Sequence, residues 1–291
     1  MKKNIIVITG GAGFVGSNLI SLLLEKTKFK IISIDNYSSG SIKNHINNKR
    51  IKYLKGDTKD IAKLINKPQT LNSIFHFGEF SRIYQSFINM SDCINSNTIG
   101  SNAVFNFCLK YKIKLIYSAT SATLGNNGND KNLSPYAFTK AKNLELLENL
   151  KKWFNFKFEV IYFYNVYGPK QICKGNMATV IGIFENCFKT NKPITIVKPG
   201  TQSRRFTHIF DTVNICYLAW KNNKCRHYSI SNHKSYSILE VARMFGSKIK
   251  FLKQRPGERF ASALTNLNLK NKVFKHFGKM KLKDYIRNIS K

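Results

Sequence analysis

Two hydrophobic patterns alternate along the first half of this 291-residue chain. Short strand-like runs, several of them continuously apolar, fall at 5–8, 31–34, 51–54, 74–77, 115–117 and 158–163. Between them, apolar residues recur at helical spacing at 15–25, 61–65, 100–111 and 136–153. A strand apolar at successive positions is covered on both faces, as in a parallel sheet flanked by helices. Regular alternation with right-handed crossovers predicts an α/β, Rossmann-like doubly wound parallel sheet. Beyond residue 165 the pattern loosens. Segments 178–188, 211–220 and 237–244 read as helices, and 194–197 and 249–252 as strands. Ser237 and Glu240 have the spacing of a capping box.

The first strand runs into Thr9-Gly10-Gly11-Ala12-Gly13-Phe14-Val15-Gly16 and then a helix. Glycines at 10, 13 and 16 allow a tight turn and close approach of a pyrophosphate, while the helix N-terminus offers N–H groups to an anion. The spacing is G-x-x-G-x-x-G, so the context carries the reading rather than a fingerprint. That context includes Asp35-Asn36 at the tip of the second strand. An acid there suits a ribose 2′-hydroxyl, which favours NAD over NADP. The expected division is a dinucleotide-binding domain over 1–165 and a smaller C-terminal α/β lobe over 166–291. That lobe mainly binds substrate, with some chain returning to the first domain.

Composition changes this picture little. The formal net charge is +33, but the lysines are spread over the whole length and no basic arm or aromatic-interleaved stripe stands out. Specific nucleic-acid binding is therefore not expected, whereas a basic surface attracts an anionic small substrate. The six cysteines form no C-x-x-C pair and no zinc pattern, so a reduced cytoplasmic chain without a metal is expected. The apolar core of the first residues is too short for a signal peptide and reads as the first strand. No apolar run approaches the ~20 residues of a membrane span.

The chemistry-bearing candidates lie further along. Tyr136 and Lys140 stand at i and i+4 just after Ser134-Pro135, on one helix face. A phenol ordinarily keeps its proton to near pH 10, and a neighbouring cation favours the phenolate, as a general base requires. A surface pair on an amphipathic helix has the same spacing. Upstream, the strand 115–117 ends in Ser118-Ala119-Thr120-Ser121-Ala122-Thr123-Leu124-Gly125. Small hydroxyls there either hydrogen-bond a substrate alcohol or ketone, or cap a turn.

Together these motifs resemble the extended short-chain dehydrogenase/reductases, in the NAD-dependent nucleotide-sugar epimerase/dehydratase family. Further motifs in family order are Gly56-Asp57, His76-Phe77-Gly78, Asn97-Thr98-Ile99-Gly100, Asn165-Val166-Tyr167-Gly168-Pro169, Gly200–Arg204, Phe206-Thr207-His208 and Arg255-Pro256-Gly257-Glu258. The resemblance implies that Tyr136 is the base, that Lys140 holds the nicotinamide ribose, and that Thr120 (or the adjacent Ser121) is the active hydroxyl. It implies Asp57 at the adenine and Phe77 and Gly78 along the cofactor channel, with Asn97 near it. Thr58, Ser118 and Phe163 complete the cofactor side. Asn165, Arg204 and Arg255 would hold the substrate diphosphate.

Dehydratases and decarboxylases of this family carry an acid just after the active hydroxyl, where this chain has Ser121 and Ala122. The resemblance therefore implies epimerisation, foremost of the UDP-glucose/UDP-galactose type at C4, in a homodimer. The run Lys174-Gly175-Asn176-Met177-Ala178 is similar to that of the ADP-heptose 6-epimerases, where the lysine is a second base. A sugar-nucleotide reductase or dehydratase and a dinucleotide-binding regulatory protein stay open as alternatives. Leu124 and Arg205 depart from the family pattern, which usually has Tyr and Asp there.

Overall fold

The computed structural model describes residues 3–124, 126–254, 256–257 and 273–289. Its strands are β1 (Ile5–Thr9), β2 (Lys30–Asp35), β3 (Ile51–Lys55), β4 (Leu71–His76), β5 (Lys114–Thr120), β6 (Phe158–Phe163), β7 (Asn165–Tyr167), β8 (Ile194–Val197), β9 (Ser203–His208), β10 (His227–Ser231), β11 (Ser235–Ser237), β12 (Ile249–Leu252) and β13 (Val273–Phe277). The helices are α1 (Phe14–Lys26), α2 (Ile61–Leu64), α3 (Ile83–Ile88), α4 (Met90–Ile94), α5 (Ser101–Lys110), α6 (Pro135–Phe154), α7 (Val180–Lys189), α8 (Ile209–Asn222), α9 (Ile238–Met244) and α10 (Leu282–Ile289). A π-helical turn, Asn95–Gly100, joins α4 to α5.

Eight parallel strands form the main sheet in the order β13-β10-β6-β5-β4-β1-β2-β3. The two-residue period of the strands sorts their side chains between two cores. Val7, Ile74, Leu115 and Val160 meet Val104, Phe105 and Cys108 of α5 and Leu147 and Leu150 of α6. Ile6, Ile8, Phe75, Ile116 and Ile161 meet Leu19, Ile20 and Leu23 of α1 and Val213, Cys216 and Ala219 of α8. The chain order reverses at β1, with β2 on one side and β4 on the other. A crevice opens at such a switch point, beyond the carboxyl ends of the strands.

A third core joins the remaining elements, with Tyr167, Ile181, Phe184, Ile196, Phe206, Val241, Phe245 and Ile286 buried together. It holds a three-stranded sheet, β11-β9-β7, and a two-stranded one, β12-β8. The chain returns to the main sheet through α8, β10 and β13.

Candidate active site

One cleft of about 500 Å³ runs along the carboxyl ends of β1, β2, β4, β5 and β6. Its floor at one end is the glycine turn. Gly10 has φ +71°, and a Cβ there would lie 2.8 Å from the Gly78 nitrogen; a Cβ on Gly16 would lie 2.2 Å from the Gly10 carbonyl oxygen. Those neighbours are backbone and cannot move aside. Gly13 caps α1 without a side-chain bond, so first-turn N–H groups are left for an anion. Gly10, Gly13, Phe14, Val15 and Gly16 all line the cleft. A bare glycine cradle against a helix N-terminus fits a dinucleotide pyrophosphate.

Asp35, Asn36 and Thr58 line the same end. Asp35 is buried, and its carboxylate accepts the N–H of Ala12 (2.9 Å) and of Tyr37 (2.8 Å). Burial raises its pKa, and those backbone bonds oppose the rise. The acid read as a ribose ligand thus also ties the tip of β2 to the glycine turn. Asp57 is not among the lining residues: its partly exposed carboxylate accepts from the Lys59 N–H (3.1 Å) and from Asn36 Nδ2 (3.2 Å). Asn97 is fully buried in the π-helical turn and braces the loop after β4 instead of lining the cleft. Its Oδ1 accepts the Phe80 N–H at 2.7 Å, and its Nδ2 donates to Thr139 Oγ1 at 3.2 Å.

Phe77, Gly78, Ser118 and Phe163 lead along the cleft to the reactive candidates. Ser134 caps α6, accepting the Ala137 N–H at 3.1 Å, with Pro135 at the first helical position. That start sets Tyr136 and Lys140 one turn apart, both buried and both lining the cleft. The Tyr136 N–H donates to Ser86 Oγ (3.2 Å), fastening this turn to α3. Lys140 Nζ donates to the Ser118 carbonyl at 2.5 Å, lies 4.8 Å from the Tyr117 ring centre and forms an ion pair with Glu79. Thr120 Oγ1 accepts the Ala122 N–H at 3.2 Å, so this hydroxyl caps a turn and also faces the cleft. Ser121 lines it too.

The far wall comes from the later elements. Asn165 and Arg204 line it; Asn165 Nδ2 donates to the Arg205 carbonyl (3.1 Å), and Arg204 Nη1 to the Ser203 carbonyl (2.9 Å). Lys174 and Asn176 are exposed on the loop between β7 and α7, outside the lining. Arg255 lies outside the described residues.

Two charged residues of the cleft, Glu79 and Arg82, belong to no motif that the sequence singles out. Glu79 follows directly on His76-Phe77-Gly78, and the signal was an acid beside that motif in a chain with 15 acids against 48 bases. Arg82, at the start of α3, donates through Nε (2.9 Å) to the Met177 carbonyl across the cleft wall. Burial pulls its pKa below the usual arginine range. Among the described residues there is no metal-ligating cluster, and no helix is long and apolar enough to cross a membrane.

Comparison with known proteins extends the picture. The model of the NAD dependent epimerase/dehydratase family matches residues 6–231. An uncharacterized UDP-glucose epimerase of Bacillus subtilis, YtcB, is 30% identical over 72% of this chain and 70% of its own. The ADP-L-glycero-D-manno-heptose-6-epimerase of Brachyspira hyodysenteriae is 29% identical over 82% of this chain and 79% of its own. Among solved structures, the UDP-N-acetylglucosamine 4-epimerase of Methanobrevibacter ruminantium M1, in complex with UDP-N-acetylmuramic acid, is 25% identical with a TM-score of 0.84, covering 100% of this chain and 98% of that one.

Proposed function

Because the chain belongs to the NAD-dependent epimerase/dehydratase family, we propose that it inverts C4 of a nucleotide-linked hexose of the UDP-glucose/UDP-galactose type. The observation that carries this reading is the meeting of Tyr136, Lys140 and Thr120 in the cleft that begins at the glycine turn. NAD supplies, when bound, the two-electron oxidation and re-reduction of the carbinol carbon. Gly10, Gly13 and Gly16 would hold its pyrophosphate and Asp35 its adenine ribose, and Lys140 with Ser118 would hold its nicotinamide end.

Tyr136 takes the proton of the C4 hydroxyl and later gives it back, while Thr120 hydrogen-bonds the same oxygen. Lys140 stands one helical turn from this phenol, on the same face of α6 and in the same cleft. Arg204 and Asn165 hold the diphosphate, joined by Arg255, since guanidinium groups bind phosphate oxygens in bidentate fashion. Held only by its diphosphate, the keto sugar turns and presents its other face. Ser121 and Ala122 occupy the positions at which dehydratases carry an acid, which supports epimerisation over elimination. Lys174, exposed and off the cleft, gives a heptose-type second base no support. A homodimer through α6 belongs to the same reading, supported by exposed Phe138, Trp153 and Phe154.

The test is a panel of UDP-, dTDP-, GDP- and ADP-sugars with products identified by NMR. Interconversion of UDP-glucose and UDP-galactose is expected. Release of a 4-keto-6-deoxy sugar would overturn the epimerase reading in favour of a dehydratase.

A further inference from the structure

Glu79 has no role in the scheme above, yet its side chain is only 2% exposed and sits against Lys140, itself 4% exposed. One carboxylate oxygen takes the ammonium of Lys140. The other accepts Ser101 Oγ (2.7 Å), the Tyr117 hydroxyl (3.0 Å) and Asn143 Nδ2 (3.2 Å). Counting protons fixes the direction of the bonds behind it. Thr9 Oγ1 accepts the N–H groups of Phe77 (3.1 Å) and Gly78 (3.0 Å), so its own proton goes to His76 Nδ1 at 2.7 Å. His76 then carries its proton on Nε2 and donates to Ser101 Oγ at 2.9 Å, and Ser101 donates onward to Glu79. Only a carboxylate, which accepts without donating, satisfies every one of these partners.

The titratable groups coupled to this pair are His76 of β4, Cys93 of α4 and Tyr117 of β5, and Tyr136 of α6 is coupled in turn to Tyr117 and to Arg82 at the start of α3. Burial drives the His76 pKa down to about 4. Burial, aided by Glu79, raises Tyr117 well above the usual tyrosine range, and burial raises the Cys93 thiol. None of these three carries charge near neutrality, and Arg82 adds a cation that faces Tyr136. Glu79 is the one anion in this set.

We propose that Glu79 is the positioning residue of the acid–base pair: it pins the Lys140 ammonium between its own carboxylate and the Ser118 carbonyl and supplies the negative charge that balances it. The inference rests on the reading of Tyr136 and Lys140 given above. Removing the anion makes proton loss easier at the ammonium paired with it, and the phenol one turn away is displaced through its coupling to that ammonium.

The experiment uses the full chain loaded with NAD and compares wild type, Glu79→Gln and Glu79→Asp. Tyrosinate absorbance is titrated against the same background carrying Tyr136→Phe, which needs no sugar, and the pH–rate profile is recorded with UDP-glucose. In Glu79→Gln, both the phenolate midpoint and the bell-shaped profile should be displaced from the wild type by roughly one pH unit or more. In Glu79→Asp both should stay with the wild type. A Glu79→Gln protein that loses rate or thermal stability while both midpoints stay in place would reduce Glu79 to a structural brace and overturn the proposal. If Glu79→Gln folds poorly, Glu79→Gln/Lys140→Met removes both charges and should recover stability, since a lone buried charge costs more than none. A double variant no more stable than the single one also contradicts the pairing. A protein that turns over no nucleotide sugar would sink the epimerase reading alone, because the phenolate titration remains measurable.

Discussion

The two ends of the cleft are made of different material. The end at β1 and β2 is largely backbone: a left-handed Gly10, a Gly16 packed on the Gly10 carbonyl, and an uncapped helix start. The end at α6 and β9 is made of side chains drawn together from distant parts of the chain, with Lys140 and Glu79 61 residues apart. A backbone site accepts few residue types and punishes any Cβ. A side-chain site tolerates change in form but depends on charge and proton count. The contrast predicts that substitutions at one end abolish binding, whereas those at the other separate binding from chemistry.

The largest expected effect is at Gly16. A methyl placed 2.2 Å from the Gly10 oxygen and 2.8 Å from Gly11 Cα forces the turn open, so Gly16→Ala should purify without NAD and without activity. Retention of NAD at the wild-type ratio, read from the absorbance of denatured protein, would break the contrast at its first term. Next comes Tyr136→Phe, which should keep NAD and lose kcat by about 10²–10⁴; an unchanged kcat would remove the phenol from the chemistry.

A pH effect follows, seated beneath both ends. His76 titrates near 6.5 in an unfolded chain but at about 4 when folded. Between those values the unfolded state binds the extra proton, so the contribution present above pH 6.5 is lost as pH falls toward 4, to the extent of about 3 kcal/mol. Imidazole NMR should find His76 neutral at pH 5, with denaturant stability lower there than at pH 7. A protonated ring at pH 5 contradicts the bond directions assigned around Ser101.

Arg204→Met should raise KM about 10–100-fold with kcat nearly kept, the loss of one charge-assisted contact of about 1.5–3 kcal/mol. A fall in kcat alone would move Arg204 from diphosphate binding to the reacting centre. Lys174→Met, off the cleft, should change kcat/KM least, by roughly the factor of two that solvent screening leaves to a distant exposed charge. A collapse of activity there would revive the second-base reading.

The same contrast explains what the sequence allowed to be read. The strands of the main sheet announce themselves because Ile6, Ile8, Ile74 and Ile161 must all be apolar when both faces are covered. β10 hides because its buried positions include Ser229 and Ser231, and Ser229 satisfies its hydroxyl against Tyr164 at 3.2 Å. No apolar run marks it. The glycine turn, Asp35, Tyr136 and Lys140 were legible since their spacing is local. Glu79, Arg82 and the bracing place of Asn97 were not, because each depends on a partner brought close only by folding.

The central claim is that this cleft oxidises and re-reduces one carbon of a nucleotide hexose without releasing it. Feeding the NAD-loaded protein UDP-glucose deuterated at C4 tests that most directly. UDP-galactose should form with the deuterium still on C4, and the Tyr136→Phe variant should form none. Loss of the label to solvent, or a product altered at C6 with C4 uninverted, would contradict it.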